Sequence, residues 1–255
     1  MKIFKSINKL NKQVDFKANI GFVPTMGALH KGHLSLIDSS KKKCKKTLVS
    51  IFVNPTQFNK KSDYKKYPKK LNKDLNILKK MNVDYVFIPI KNEIYKNKKS
   101  MKIKINLRDK ILCAKHRKGH FEGVLAVINQ LLSVIKAKYM FLGNKDYQQV
   151  YLIKKFIKNK FGIKIITCKT VRDKNSLPYS SRILNLNNND KLKASMLSKK
   201  LNILFKQIKK NINNSKKINT FKKKFSKHEI KIEYLEIRNK FNLSKKFNKN
   251  NFKLF

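Results

Sequence analysis

The chain has 255 residues and carries 63 Lys or Arg against 14 Asp or Glu, which gives a net charge of +49. This length allows one large core, or a main domain with a small second one. The sequence contains no run of ~20 apolar residues that could span a membrane, and its N-terminus does not resemble a secretory signal. Cys44, Cys113 and Cys168 are isolated from one another. Their spacing indicates neither a disulfide framework nor a zinc site, so we expect a cytoplasmic protein.

The excess of positive charge has two interpretations. Clustered lysines bind the phosphates of nucleic acids, so an RNA-binding protein is one possibility. The lysines are instead spread over nearly the whole chain, and Asn, Ile and Phe are abundant as well. All four residue types have AT-rich codons, so we favour a nucleotide composition bias acting on a solvated surface, with no specific nucleic-acid binding. Against this background, the clustering of the scarce His, Gly and Arg residues in a few short segments is informative.

Strand-like and helix-like segments alternate through the first two thirds of the chain. In chain order, periodicity predicts a strand ending at Gly21–Pro24, a helix over His33–Lys43, a strand over Thr47–Val53, a helix over Leu71–Met81, a strand over Val83–Ile88, period-two alternation over Met101–Leu107, a helix from Phe121 to Ile135, a strand over Tyr139–Leu142, a helix over Tyr147–Phe161 and a strand over Ile163–Val171. This order is typical of an α/β protein with a parallel sheet covered by helices. Ligands of such sheets bind beyond the carboxyl ends of the strands.

The pattern changes after about residue 184. An apolar stripe that includes Leu197, Leu201 and Leu204 predicts a helix, and Lys231–Arg238 predicts a strand. We therefore expect a catalytic domain over residues 1–183 and a small α+β domain over residues 184–255.

The most informative motif is the segment from Pro24 to His33, PTMGALHKGH, which follows a predicted strand and opens a predicted helix. Unpaired backbone amides and the helix dipole favour a phosphate at such a position. Two glycines allow the backbone to approach a ligand closely. His30 and His33 could donate hydrogen bonds to a phosphate whose charge grows in a transition state. A phosphate-binding active site is therefore favoured over two unrelated histidines beside a turn.

Three further segments place polar residues at the ends of predicted strands. Asn54 and Gln57 follow the second strand, and their amides suit a substrate with hydroxyl and carboxylate groups. The segment Gly143–Gln149, GNKDYQQ, lies at a strand-to-helix junction, where a lysine can neutralise phosphate and an aspartate can accept from ribose. Ser180-Ser181-Arg182 offers two hydroxyls and a guanidinium to the β- and γ-phosphates of a nucleotide.

These segments together resemble a known family. PTMGALHKGH, SIFVNPTQF, YPKKLNKDL, HRKGHFEGV, GNKDYQQ and SSR stand in the order and spacing of pantothenate synthetases. H-x-G-H alone is typical of a whole superfamily of nucleotidylyltransferases with a Rossmann-like fold, whereas the combination with VNPTQF and KDYQQ is specific. The resemblance covers roughly residues 1–240.

The resemblance implies a reaction and a cytoplasmic homodimer. Pantoate attacks the α-phosphate of Mg-ATP to give pantoyl adenylate and pyrophosphate, and β-alanine then displaces AMP. The implied catalytic residues are His33, His30 and Lys145. The implied ATP-binding residues are Met26, Gly27, Ala28, Leu29, His30, Lys31, Gly32, His33, Gly143, Asn144, Lys145, Asp146, Val171, Tyr179, Ser180, Ser181 and Arg182. The implied pantoate and β-alanine residues are Gln57, Gln149, Asn54, Tyr67 and Arg117, and Asp74 matches an acidic position on the Mg²⁺ side.

The sequence departs from the family pattern at several positions near Ser180-Ser181-Arg182, the segment predicted to bind the β- and γ-phosphates, which we call the phosphate clamp. Tyr179, preceded by Pro178, stands where the family usually has Met or Leu, and Ile183 replaces an Asn. The chain ends near the start of the family's last strands, so the small domain, a lid in the family, is expected to be abbreviated. These departures bear on closure over ATP more than on the reaction.

Two alternatives remain at this point. Another H-x-G-H adenylyl- or cytidylyltransferase would act on a phosphorylated acceptor and would need basic residues where Gln57 and Gln149 stand. An RNA-binding protein with a degenerate enzyme fold would show salt-dependent RNA binding and no exchange of pyrophosphate with ATP.

Overall fold

A computed structural model describes residues 1–95, 103–210, 215–226 and 230–255 of the chain. These residues form two compact units. The first contains Met1–Val171 and Pro178–Leu184, and the second contains Arg172–Leu177 and Asn185–Phe255. The short segment 172–177, which the sequence pattern placed in the first domain, belongs to the second unit. There the guanidinium of Arg172 donates to the carbonyl oxygen of Ser176 at 2.8 Å and to the hydroxyl of Ser198 at 3.0 Å.

The first unit is built on a six-stranded sheet whose paired strands all run parallel. Its strands are β1 (Lys2–Phe4), β2 (Ile20–Thr25), β3 (Lys46–Ile51), β4 (Tyr85–Phe87), β5 (Tyr139–Gly143) and β6 (Lys164–Cys168). The predicted α/β class with a helix-flanked parallel sheet is confirmed. β1 was not anticipated, because three residues are too few to show a period. The seven-residue helix that follows it was not anticipated either.

Helices connect the strands. They are α1 (Ile7–Gln13), α2 (Lys31–Lys43), α3 (Lys61–Lys66), α4 (Leu71–Lys80), α5 (Lys91–Ile94), α6 (Cys113–His116), α7 (His120–Val134) and α8 (Tyr147–Ile157). The alternation over Met101–Leu107 does not form a strand in its described part: residues 103–106 are irregular and Leu107–Asp109 is a 3₁₀ turn. Residues 101 and 102 lie outside the described residues.

Alternate residues of the central strands supply cores on the two faces of the sheet. Phe22 and Leu48 pack into one cluster, which includes most of the buried face of α7. Val23 and Val49 pack into the other, with residues of α2 and α4. Because both faces are covered, β2 and β3 are buried over almost their whole length, as is typical of parallel strands.

The strand order β1-β4-β3-β2-β5-β6 determines where a ligand can bind. From β2 the chain proceeds outward through β3 and β4, and it then returns to place β5 on the other side of β2. Adjacent strands followed by connections in opposite directions leave a crevice at their carboxyl ends. The H-x-G-H segment follows β2 and the GNKD segment follows β5, so both motifs lie at this switch point.

The second unit contains α9 (Asn188–Lys210), α10 (Ser215–Ser226) and an antiparallel pair formed by β7 (Ile237–Asn239) and β8 (Phe252–Leu254). Leu204, Ile208 and Phe252 belong to its buried cluster. The strand predicted over Lys231–Arg238 is limited to its last residues. Among the described residues, no helix is both long and apolar enough to cross a bilayer.

Candidate active site

A cavity of about 230 Å³ lies beyond the carboxyl ends of β2, β5 and β6 in the first unit. It is lined by the following residues predicted from sequence: Met26, His30, Gly32, His33, Gln57, Tyr67, Arg117, Gly143, Lys145, Asp146, Gln149, Val171, Tyr179, Ser180, Ser181 and Arg182. Residues from all six quoted motifs, together with Val171, thus meet in one place, although they are up to about 150 residues apart in sequence.

The remaining predicted residues do not line this cavity. They are Gly27, Ala28, Leu29, Lys31, Asn144, Asn54 and Asp74. Ala28, Leu29 and Asp74 instead border a second cavity of about 260 Å³, which shares His30, Tyr179 and the two serines with the first. Part of the H-x-G-H segment thus borders the second cavity and does not face the first.

Asp74, which was expected on the Mg²⁺ side of the site, contacts the backbone of the turn after β2. Its carboxylate is buried and accepts the backbone N–H groups of Ala28 and Leu29, each at 2.8 Å. This pair of bonds holds the turn after β2, in which Gly27 has φ +76° and Ala28 has φ +50°. A left-handed conformation costs a residue with a Cβ about 1–2 kcal/mol, so Ala28 needs such support. Asp74 therefore shapes the turn that carries His30.

His30 and His33 are stacked at the start of α2, with ring centroids 4.0 Å apart and planes at 23°. Nδ1 of His30 accepts the backbone N–H of Gly32 at 3.1 Å and caps the helix. In the neutral ring this bond leaves the proton on Nε2, which is thus a donor. Nδ1 of His33 is buried and has no hydrogen-bond partner among the described residues.

The three histidines of the cavity are neutral at physiological pH. Burial, followed by the charge of Lys145, lowers the pKa of His30 to about 4. Burial, followed by His30 and Lys145, lowers the pKa of His33 to about 3. Burial, followed by Arg117, lowers the pKa of His120 to about 4. The neutral imidazoles of His30 and His33 each keep one N–H group that can donate a hydrogen bond to phosphate without requiring a proton from solvent.

These pKa values predict a pH-dependent stability. Between pH 6.5 and about 4, these histidines bind a proton in the unfolded chain but stay neutral in the folded protein. The unfolded state is therefore favoured as pH falls through this window, and the melting temperature should decrease between pH 7 and pH 5. Thermal unfolding across this range measures the effect. In His120→Gln, which removes one of the three groups, the slope should be shallower; an identical slope would contradict the assignment.

Asn54 lies behind the wall of the cavity, where it contacts Gln57. Its Oδ1 accepts the Tyr95 hydroxyl at 2.8 Å and the Thr56 hydroxyl at 3.0 Å. Its Nδ2 donates to the carbonyl oxygen of Gly123 at 3.1 Å and to Oε1 of Gln57 at 3.4 Å. Both ends of the Asn54 amide are thus engaged with protein, and its contact with Oε1 orients the Gln57 side chain.

His120 also lines the cavity, although it was not assigned to the site from sequence. Its Nδ1 lies 2.6 Å from the carbonyl oxygen of Gln57, and its Nε2 lies 3.1 Å from Nη1 of Arg117. A carbonyl only accepts and a guanidinium only donates, so the proton is on Nδ1. His120 thereby links Arg117 to the Gln57 backbone. The signal for this role was the HRKGHFEGV segment, in which only the arginine was assigned.

Apolar residues of α7 form another part of the wall that sequence could not assign. Val124, Val127, Ile128 and Leu131 line the cavity. Their helical spacing predicted a buried face, but periodicity cannot distinguish a face that packs only on the sheet from one that also borders a cavity.

Only one glutamine of the Gln148-Gln149 pair faces the cavity. Gln148 is buried, donates to the carbonyl oxygens of Asp109 and Ile111, and accepts from the N–H of Ala114. Gln149 lines the cavity beside Lys145. The two neighbours point in different directions because successive helical residues are about 100° apart.

Tyr179, one of the departures from the family pattern, extends the histidine stack. Its ring lies 6.3 Å from that of His30 at an interplanar angle of 24°, and Nζ of Lys31 lies 5.9 Å from its centroid. Its backbone N–H donates to the carbonyl oxygen of Val171 at 3.1 Å. The Ser181 hydroxyl donates to the carbonyl oxygen of Ala28 at 3.1 Å. These contacts connect the Ser-Ser-Arg segment to the turn after β2.

Comparison with known proteins decides the family. The family model for pantoate-beta-alanine ligase matches residues 2–254. The chain belongs to the pantoate–β-alanine ligase family. A pantothenate synthetase of Pseudothermotoga lettingae is 39% identical over 93% of this chain and 86% of its own length. One from Francisella tularensis subsp. novicida is 45% identical over 73% and 72%.

Solved structures of the pantoate–β-alanine ligase family agree with the fold. The pantothenate synthetase of Thermus thermophilus matches with a TM-score of 0.87 at 27% identity, over 95% of this chain and 89% of its own. The Francisella tularensis ligase, solved with β-γ ATP and β-alanine, matches with a TM-score of 0.79 at 38% identity, over 92% and 89%. This member of the family is therefore a ligase with the expected architecture.

Proposed function

We propose that the chain condenses pantoate with β-alanine at the expense of ATP, through a pantoyl adenylate, in the cavity beyond β2, β5 and β6. The observation that carries the proposal is the convergence of two neutral stacked histidines, a lysine and two cavity-facing glutamine amides at the switch point of the sheet. Phosphate and acid-substrate groups thus have recognition elements within one cavity.

The ATP site is assigned to the side of the cavity formed by the H-x-G-H turn and the segments after β5 and β6. Nε2–H of His30, the His33 imidazole and the Lys145 ammonium supply donors and positive charge for the α- and β-phosphates. Asp146 and Gly143 are assigned to ribose and the backbone of Val171 to adenine, while Ser180 and Arg182 extend toward the γ-phosphate. Ser181 supports this clamp through Ala28.

The acid substrates are assigned to the opposite side. Amides of Gln57 and Gln149 both donate and accept, which suits the hydroxyl and carboxylate groups of pantoate. Nε2 of Gln57 already donates to the sulfur of Met26 at 2.7 Å, which keeps its amide group close to the H-x-G-H turn. Tyr67 and Arg117 complete this side of the cavity.

The chemistry needs no covalent nucleophile. A pantoate carboxylate oxygen bonds to the α-phosphorus as the bond to pyrophosphate breaks. The β-alanine amine then bonds to the acyl carbon, loses a proton, and AMP leaves. The residues contribute positioning and charge neutralisation, and the apolar wall from α7 limits access of water to the adenylate.

Mg²⁺ is proposed to enter with ATP. The described residues include no cluster of three or more His, Cys, Asp or Glu that could hold a metal ion, and Asp74 is engaged by two backbone amides. Mg²⁺ commonly binds substrate phosphates and water with few protein ligands, so this donor set suits an ion carried by the nucleotide.

A cytoplasmic homodimer is also proposed, on the family resemblance. Within the described residues the three cysteines form no disulfide, as is usual in a reducing compartment. Sedimentation equilibrium of the purified chain tests the dimer.

Two coupled assays test the proposed function. The enzyme should release pyrophosphate from Mg-ATP only when pantoate is present, and should release AMP when β-alanine is added. Pyrophosphate release that does not depend on pantoate, or that requires a phosphorylated acceptor, would favour another nucleotidylyltransferase.

Gln149→Ala should weaken use of pantoate more than use of ATP. Removing an amide that binds the substrate costs about 1–1.5 kcal/mol, so KM for pantoate should increase about tenfold while KM for ATP changes less than about threefold. Steady-state kinetics with each substrate varied in turn measures both. Gln207→Ala, on the exposed surface of α9, should change neither constant. Equal increases in both, or an increase for ATP alone, would contradict the assignment.

A further inference from the structure

Arg182, assigned above to the triphosphate, is held by a carboxylate that does not line the cavity. Its Nη2 donates to Oδ2 of Asp63 at 2.9 Å and its Nε donates to Oδ1 at 3.3 Å. The two bonds form a side-on pair, in which one edge of the guanidinium faces the carboxylate. Asp63 lies in the first turn of α3, about 120 residues away in sequence.

The side-on arrangement leaves one edge of the guanidinium available. A guanidinium has five N–H groups, and Asp63 uses one on Nε and one on Nη2. Within the part of the chain that the structure describes, both N–H groups of Nη1 and one of Nη2 have no other acceptor, and Arg182 lines the cavity. An anion in the cavity can therefore accept from Arg182 without displacing Asp63.

Aromatic rings restrict the same guanidinium. Cζ of Arg182 lies 5.6 Å from the ring centroid of Tyr67 and 5.9 Å from that of Phe58. The two rings pack edge to face, 5.6 Å apart. Tyr67 is buried, and its hydroxyl hydrogen-bonds with Ser181. The segment from Phe58 to Tyr67 thus contacts the clamp through both its carboxylate and its rings.

Asp63 remains ionised beside this cluster. Its hydrogen bond with Arg182 lowers the pKa of its carboxyl group, and the charges of Arg182 and Arg117 act in the same direction. The pair is partly exposed, with side-chain accessibilities of 44% for Arg182 and 37% for Asp63. Partly exposed pairs of this kind contribute little to folding stability. The contribution of Asp63 is therefore expected in ligand binding.

We propose that Asp63 is a positioning residue of the ATP site, which holds the guanidinium of Arg182 so that its Nη1 edge faces the triphosphate. This proposal rests on the proposed function for its ligand. Without Asp63, the long side chain of Arg182 can adopt other rotamers. Nucleotide binding must then restrict it to one of them, at a cost in conformational entropy. The loss falls on ATP and spares pantoate and β-alanine.

Asp63→Ala tests the proposal. The KM for ATP should increase about tenfold, with the KM values for pantoate and β-alanine within about twofold of wild type. Asp63→Glu should recover part of the affinity, because it keeps a carboxylate near the arginine. Asp84→Asn is a matched control, since Asp84 forms a comparable ion pair with Lys46 at 2.8 Å and does not line the cavity. It should leave all three constants unchanged.

A double mutant separates positioning from a general effect on folding. In an Arg182→Ala background, Asp63→Ala should change the KM for ATP by less than about twofold, because there is no guanidinium left to hold. A full tenfold loss in that background, an unchanged KM in the single variant, or tighter ATP binding in it would overturn the proposal. Calorimetric Kd values for Mg-ATP without pantoate give the same comparison independently of turnover. Because the Kd values do not require turnover, a failure of this proposal can be distinguished from a failure of the proposed ligase reaction.

Discussion

Replacing His33 by alanine should reduce the rate of pantoate-dependent pyrophosphate release by a factor of about 10²–10³, with a smaller change in the Kd for ATP. The pKa of His33 is about 3, so the side chain is a neutral imidazole at working pH. It lies in the cavity, stacked on His30 at the beginning of α2. A fixed donor at this position stabilises charge that develops on the phosphates as pyrophosphate leaves, which affects the transition state more than the bound ATP.

Single-turnover measurement of pyrophosphate release, together with calorimetry for ATP, separates the two effects. His116→Ala is a suitable control, because His116 is exposed on α6 and does not line the cavity. It should retain wild-type turnover. If His33→Ala kept more than half of the wild-type rate, His33 would have no catalytic role.

Replacing Gly123 by alanine should both destabilise the protein and impair pantoate use. A Cβ at this position would lie 2.8 Å from the backbone nitrogen of Gln57, 2.5 Å from the carbonyl carbon of Thr56, and closer still to the Thr56 oxygen. These are backbone atoms, which cannot swing away as a side chain can. The turn that carries Gln57 must therefore move off α7, and the bond from Asn54 to the Gly123 carbonyl is strained with it.

The expected cost of this overpacking is about 3 kcal/mol, equivalent to a decrease in melting temperature of roughly 6–12 °C. Helix propensity alone predicts the opposite effect on stability, because alanine stabilises a helix interior by about 1 kcal/mol relative to glycine. The KM for pantoate should increase at least about tenfold, because Gln57 is displaced. Gly162→Ala, where a Cβ would meet nothing within 4 Å, should leave both the stability and the KM unchanged. A Gly123→Ala protein as stable as wild type would show that this contact does not require glycine.

Local patterns were sufficient for the elements that contact the sheet most extensively. The observed bounds agree within a few residues with the predicted ones for β2, β3, α2, α4 and α7. A strand buried on both faces gives a continuous apolar run, and a helix buried on one face gives apolar residues spaced three to four apart, so both patterns are visible in sequence. The short edge strand β1 was not predicted, since three residues are too few to show a period. The alternation over 103–106 does appear in sequence, but it reflects the packing of Ile103 and Ile105 against the core in an irregular segment and not a strand.

The sequence by itself determined the family, the order of the motifs and the residue types available for phosphate and amide recognition. These are local properties: a strand that ends in a glycine-rich turn before a helix presents unpaired amides wherever it occurs. The tertiary structure alone decided which members of each motif face the cavity. Packing also places polar atoms of Asn54 and Asp74 against backbone groups that must be satisfied once buried, which the sequence does not show. The roles of Asp63 and His120 likewise depend on partners that are distant along the chain, and no local pattern of residues records such a pairing.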